Sequence, residues 1–174
     1  MRSSVPGDPG SLAAAGTAAR QSARDLARAS AGGTTAYLSL KDVWGTSTSV
    51  RTRKEGQRSM AALAEAGRQA DAVGTALQGY AAELSALQAR ARRVVDAADQ
   101  AGLVIENGQV RLGWGVTGEA DLEASNDRSA LVSTLQAELD GLGAQHRRRR
   151  DRLLADLATS TRELDEIATD LRLR

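Results

Sequence analysis

His146 is the only histidine in the chain, and there is no cysteine. A histidine acts as a general base or metal ligand when a nucleophile, a carboxylate or further ligands stand near it. No Ser/His/Asp set, glycine-rich phosphate loop or cluster of metal ligands can be assembled from this sequence. The residue types therefore predict a non-enzymatic protein without catalytic, cofactor, metal or small-molecule substrate sites. His146 is interpreted as an ordinary polar residue of a helix.

The densest charge is the run Arg147–Arg152, which holds five arginines and Asp151. Successive helical residues point about 100° apart, so this run forms a collar around a helix. Asp140 and Asp156 also stand at helical spacing for pairing with it. Three interpretations stay open: a solvated or internally paired collar, which is favoured, contact with a protein partner, and contact with nucleic acid. The net charge of only +1 argues against a nucleic-acid partner.

The composition indicates a helical protein. The 174 residues include no Phe, two Trp and two Tyr, although 41% are apolar. Most of the core must come from Ala, Leu and Val, which favours helices packed along narrow seams. We predict an all-α fold, an elongated antiparallel helical hairpin or bundle of three or four long helices. A small β-hairpin is inserted at about residues 103–112, and residues 1–174 are predicted to form a single helical domain.

The first helix is predicted at about residues 8–43. Asp8 followed by Pro9 suits the N-cap and the first helical position. From Leu12 onward, small and apolar residues recur at alternating steps of four and three, the spacing of a seam against a neighbouring helix. The pair Gly32-Gly33 allows a break, but the register continues through it and favours one helix.

Trp44 and Gly45 close that seam, and the hydroxyl residues after them suit the cap of a following helix. The pair is predicted to form the turn between the first two helices. The Trp44 side chain is interpreted either as an aromatic plug at the end of the seam or as part of a recognition surface at the turn.

The second helix is predicted at about residues 49–101. Beside its seam runs a second apolar stripe, which makes the apolar face wider than one neighbouring helix can cover. We predict that this stripe binds a partner; it consists of Val73, Leu77, Tyr80, Leu84, Leu87 and Val94. If the C-terminal region folds back onto the stripe, the protein is self-contained. If that region extends away, the stripe is open to a partner.

Two β-rich tetrads, Leu103–Glu106 and Gln109–Leu112, flank Asn107-Gly108. This pair tolerates positive φ at both positions and predicts a β-hairpin with a type I′ turn. Helical spacing resumes at about residue 119 and continues to residue 172. That region is predicted to be either one long helix or two helices with a bend near Gly143.

Four segments carry a resemblance to a known family: "GDPGSL", "VWGT", "LQGYAAELSALQARARRVVDAA" and "GLVIENGQV". They resemble the N-terminal helical domains of actinobacterial proteins exported by the type VII (ESX) system, the WXG and LXG class. The similarity covers about residues 6–170. It implies a helical protein that binds a partner helical hairpin, as a hetero- or homodimer. It also implies that the type VII export machinery recognises the protein at its turn, and that secretion follows a Sec-independent route.

The chain departs from the class pattern at two points. Gly45 follows Trp44 directly, whereas the class has one residue between its Trp and Gly. The secretion tag of the class is a Tyr with an acidic residue four positions later, and neither Tyr37 nor Tyr80 has one. The resemblance therefore implies a partner that supplies the tag.

The first residues lack the uninterrupted apolar segment of a Sec signal, and no run of apolar residues is long enough to span a membrane. The helical pattern continues to Arg174, so no C-terminal toxin is expected in this chain. Two other functions stay open. One is a cytoplasmic structural or adaptor coiled coil, and the other is an intracellular chaperone or immunity partner of a secreted toxin.

Overall fold

The computed structural model describes residues 5–43, 46–113 and 122–172. Its elements are α1 (Pro9–Val43), α2 (Ser47–Gln100), β1 (Leu103–Glu106), β2 (Gln109–Leu112) and α3 (Leu122–Arg172). Nearly all of the described residues are helical, and the two strands form one small antiparallel sheet. The prediction of an all-α fold with a short β-hairpin is confirmed.

The bounds of α2 follow from cap chemistry. The backbone N–H of Ser49 donates to the Thr46 hydroxyl at 3.3 Å, and the Ser49 hydroxyl donates to the Thr46 carbonyl at 2.6 Å. This cap places the start of α2 slightly before the predicted residue 49. After the helix, Gly102 adopts φ +69° and its N–H donates to the Asp99 carbonyl at 3.0 Å, a common way for a helix to end.

The glycines inside the long helices do not divide them. α1 continues through Gly32-Gly33, and α3 continues through Gly141 and Gly143. The C-terminal region is therefore one helix from Leu122 onward, and the predicted positions 119–121 lie outside the described residues. Among the residues described, no helix is both long enough and apolar enough to cross a membrane.

The β-hairpin has the predicted turn. Asn107 and Gly108 have φ values of +51° and +80°, which is the signature of a type I′ turn. Glu106 pairs with Gln109 beside the turn. The side-chain amide of Gln136 on α3 then bonds to the outer edge of β2. It donates to the Gly108 carbonyl at 3.1 Å and accepts from the Val110 N–H at 2.9 Å.

The chain divides into two compact units, and each is described by itself. Unit 1 contains Met1–Pro9 and Ala81–Asp151, and unit 2 contains Gly10–Tyr80 and Arg152–Arg174. Both α2 and α3 contribute residues to each unit.

Unit 1 has a core of fully buried aliphatic side chains, to which α2, α3, both strands and the N-terminal segment contribute. The N-terminal segment is held by Gln88, whose Nε2 donates to the Val5 carbonyl at 3.2 Å and to the Gly7 carbonyl at 2.8 Å. Gly7 has φ +122°, and a Cβ there would lie 2.9 Å from Leu84 Cδ2. Only glycine allows the segment to pass this close to α2.

Unit 2 is built around a seam of small residues between α1 and α2. A Cβ added to Gly16 would lie 2.8 Å from the Gly74 carbonyl oxygen, and one added to Gly74 would lie equally close to the Gly16 carbonyl. Along the seam, Arg20 pairs with Asp71 at 3.2 Å, and the Ser30 hydroxyl donates to the carbonyl of Met60 at 2.7 Å. Along these contacts, residue numbers rise on α1 as they fall on α2, so the two helices are antiparallel here.

Candidate partner-binding groove

The predicted turn residues, Trp44 and Gly45, lie outside the described residues. The structure describes α1 as far as Val43 and resumes at Thr46. The interpretation of Trp44 as a plug or as a recognition surface stays a prediction.

Three members of the predicted partner-binding stripe, Leu84, Leu87 and Val94, form part of the core of unit 1. The stripe is covered there because the N-terminal segment and α3 of the same chain pack against α2. Arg149 Nε on α3 lies 3.6 Å from Glu83 Oε2 on α2, beside the buried residues. In this structure these three residues therefore belong to the core of unit 1, and their role in partner binding stays a prediction.

The other three members of the stripe lie in unit 2. Tyr80 is buried, whereas Val73 and Leu77 are half-buried. The stripe therefore changes from closed to partly open between Tyr80 and Leu77, inside unit 2. The surface around Val73 is therefore the part of the stripe that this chain leaves partly uncovered.

Unit 2 buries its larger aliphatic side chains less completely than unit 1 does. In unit 1, most of these side chains are buried, although Val104, Leu112 and Leu131 are exposed. In unit 2, Leu153 is buried, but most of its counterparts are only half-buried. These half-buried residues are Leu12, Leu26, Leu40, Leu63, Val73, Leu77, Leu157, Leu164 and Ile167. The small residues of the seam bring α1 and α2 into close contact, but they leave the larger side chains without full cover.

A groove of about 620 Å³ lies between α2 and α3 of unit 2. Its α2 wall consists of Gln69, Ala72, Val73, Thr75 and Ala76, and its α3 wall consists of Asp156, Thr159, Ser160 and Glu163. The α2 residues in contact with α1 occupy other positions of the helical repeat. The groove is therefore on a different side of α2 from the seam with α1.

The same two helices enclose a second depression of about 570 Å³ nearer the start of α2 and the end of α3. Ile167 is half-buried there, and the side chain of Leu171 is 45% exposed. Apolar surface is thus available along this side of unit 2 beyond the first groove. We call the two depressions together the unit 2 groove.

The arginine collar, Arg147–Arg152, is only partly paired. Arg150 Nη2 lies 2.9 Å from Asp151 Oδ1, and Arg149 reaches Glu83. Asp140 accepts a hydrogen bond from Gln136 instead of from the collar. Among the described residues, Asp156 forms no ion pair with the collar. The predicted internal pairing therefore holds for Asp151 and not for the other two carboxylates.

His146 is buried on α3 in unit 1. Burial lowers the pKa of its imidazole, and the positive charges of Arg150 and Arg147 lower it further. Within the described part of the chain, no group of three or more His, Asp or Glu side chains is placed to hold a metal ion.

The α3 wall of the unit 2 groove was not predicted from the sequence. The signal that would have found it is the spacing of Asp156 and Glu163, which stand one heptad apart and so share a side of the helix. The spacing of Asp156 from the arginine collar predicts instead that this carboxylate pairs with the collar.

Comparison of the chain with protein-family models, curated proteins and solved structures gave no match. The assignment to the type VII class stays a proposal.

Proposed function

We propose that this protein is a non-enzymatic helical protein associated with type VII secretion, and that its unit 2 groove receives a partner helical hairpin. The observation that carries the proposal is the incomplete burial of the larger aliphatic side chains of unit 2. In this proposal the three long helices form an elongated antiparallel bundle, and unit 1 is its self-contained part. The partner, whether a different protein or a second copy of the chain, supplies a helical face, because the groove runs between two helices.

Full burial of a Leu or Val side chain contributes about 1.5–3 kcal/mol, so covering its remaining half contributes about 1 kcal/mol. The half-buried larger aliphatic residues that line the unit 2 groove are Val73 and Ile167, with the exposed Leu171 beside them. The apolar side chains of the partner add to their contribution against a cost of association of about 4 kcal/mol or more.

The type VII part of the proposal rests on the resemblance of the helical segments and of the sequence around Trp44 to that class. Neither tyrosine has the spacing of the class's secretion tag, and Tyr80 is buried as well. Export of this protein would therefore depend on a tag carried by the partner. Partner binding and secretion are thus linked in a single hypothesis.

The experiment is affinity purification of the tagged protein from its own host, with cells and culture medium analysed separately by mass spectrometry. Three forms are compared: the wild type, Val73→Arg in the groove, and Val104→Arg as a matched control. Val104 is on β1 in unit 1 and is 40% exposed, so arginine is tolerated there without covering the groove. All three forms are first shown to be helical by circular dichroism.

We expect an alanine-rich helical protein to accompany the wild type and Val104→Arg into the medium, in a manner that requires the export ATPase. Val73→Arg is expected to recover at least about tenfold less of that protein, because the long arginine side chain occupies space that the partner helix would fill. Recovery from cells alone as a homo-oligomer would favour the cytoplasmic coiled coil. Co-purification with a toxin that stays in the cytoplasm would favour the chaperone or immunity function.

A further inference from the structure

The two walls of the unit 2 groove differ in charge. Around Val73, the α3 wall contains two carboxylates, Asp156 and Glu163, whereas the α2 wall contains none. The carboxylates stand one heptad apart, so they lie on the same side of α3 and about 10 Å apart along its axis. Around Val73, one edge of the groove is therefore acidic and the opposite edge has no charged side chain.

Neither carboxylate has a basic partner among the described residues. The ion pairs of unit 2 involve other acids, such as Asp71 with Arg20 and Glu55 with Arg51. Asp156 is exposed and Glu163 is half-buried. Two acids on one edge of an apolar groove are thus available to a basic group that enters it.

Both walls of the groove contain small residues that allow a helix to approach closely. Ala72 and Ala76 on α2 and Ser160 on α3 have small side chains, so another helix could approach at the close end of the usual interaxial range of about 8–10 Å. Long basic side chains at the edge of such a helix can lie over apolar surface while their charged ends reach a carboxylate. Lysine or arginine one heptad apart on that helix would meet both acids.

We propose that the partner docks in the unit 2 groove as an amphipathic helix whose small or aliphatic stripe faces Val73 and whose flank carries two basic residues one heptad apart. This inference rests on the proposed function, since it names the chemistry of the partner for the same groove. The basic flank lies against Asp156 and Glu163, and the charge difference between the two walls sets how the docked helix is rotated about its own axis.

The test uses the full-length protein and two synthetic helical peptides of about three heptads, a length that supports helix formation. Both peptides have the same alanine and leucine stripe. The lysine peptide has Lys at successive heptad positions along one flank, and the glutamate peptide has Glu at the same positions. Binding is measured by fluorescence anisotropy at low salt.

Four variants accompany the wild type. Glu163→Lys changes the acidic wall, and Asp165→Lys is its matched control, with the same change of charge on the same helix outside the residues that line the groove around Val73. The double variant Asp156→Lys/Glu163→Lys reverses the charge of the α3 wall. Val73→Arg places a large side chain on the α2 wall, inside the groove. Circular dichroism verifies that each variant is folded.

The wild type is expected to bind the lysine peptide more tightly than the glutamate peptide. Glu163→Lys should weaken binding of the lysine peptide about fivefold, as expected when a partly exposed ion pair becomes a repulsion. Asp165→Lys should change it by less than about twofold. The double variant should prefer the glutamate peptide, because the sign of the wall is then reversed.

The outcomes separate this inference from the proposed function. If both peptides bind alike and Val73→Arg prevents binding of both, the groove is a docking site, but the inference that its partner has a basic flank is wrong. If neither peptide binds, the inference about the partner is overturned, while the host purification described above decides the proposed function independently.

Discussion

His146 is held in unit 1 with its pKa below the ordinary 6.5 because the imidazole is buried and because Arg150 and Arg147 stand nearby. The unfolded chain therefore binds a proton at this residue at a higher pH than the folded chain does. Stability rises with pH wherever the unfolded state binds more protons. Above about pH 6.5, His146 therefore does not lower the free energy of unfolding. Below that pH, the unfolded chain gains the proton first, and the free energy of unfolding falls.

We predict that the free energy of unfolding, measured by urea denaturation, decreases between about pH 7.5 and about pH 5.5. His146→Gln should show a smaller decrease, because glutamine cannot titrate. The only other shifted group among the described residues, Glu65, has its pKa lowered from 4.5 by hydrogen bonds from Arg68 and Gln69, so it titrates below this range. An equal decrease in both proteins would show that His146 does not control the pH dependence.

At the scale of the element, α2 contains two glycines with opposite surroundings. Gly74 lies in the seam, where a Cβ would stand 2.8 Å from the carbonyl oxygen of Gly16 on α1. Gly79 has nothing within 4 Å of an added Cβ, although it is in the same helix. Glycine weakens a helix relative to alanine, so only a packing requirement explains its use at Gly74.

We predict that Gly74→Ala destabilises the protein by about 1–3 kcal/mol, because the two helix backbones must move apart. Gly79→Ala should stabilise it by about 0.5–1 kcal/mol through helix propensity alone. Urea denaturation of both variants at neutral pH measures the two changes. Changes of the same sign would contradict the close approach of α1 and α2 at this point.

At the scale of the whole molecule, the two units differ in how completely they bury their larger apolar side chains. Unit 1 encloses Leu84, Leu87 and Leu142, whereas unit 2 relies on small residues in its seam and leaves Val73 and Leu77 half-buried. Local stability follows the number of buried apolar contacts. Unit 2 should therefore open more readily than unit 1 when no partner is bound.

We predict that backbone amides of α2 near Leu84–Val94 exchange with solvent at least about tenfold more slowly than those near Ala62–Val73. Both segments belong to one helix, so each serves as a reference for the other in a hydrogen-exchange measurement by mass spectrometry. Binding of a helical partner in the unit 2 groove should reduce the difference. Uniform protection along α2 would contradict the contrast between the units.

Much of the secondary structure could be predicted because its causes are local. The positive φ of Asn107 and Gly108 follows from residue type, and the turn brings Leu103–Glu106 and Gln109–Leu112 together at once. The long helices could be predicted because apolar residues recur at helical spacing over many successive turns. The exact ends of the helices are less predictable. Thr46 caps α2, so the helix begins at Ser47 and not at the predicted residue 49.

The candidate site could be predicted only in part. The apolar stripe of α2 was visible as a period in the sequence, but Leu84 and Val73 belong to the same stripe and have different surroundings. Their difference depends on α3 and the N-terminal segment, which are far away in the chain. The spacing of Asp156 and Glu163 was also visible, but their position opposite Val73 was not.

The sequence by itself determined the helices, the β-hairpin and the absence of cysteine chemistry, because residue type and short-range spacing control these features. Only the tertiary structure decided which part of the α2 stripe is core and which part borders an open groove. Burial depends on segments brought together from distant parts of the chain, and the periodicity of a helix shows which residues share a face without showing what covers that face.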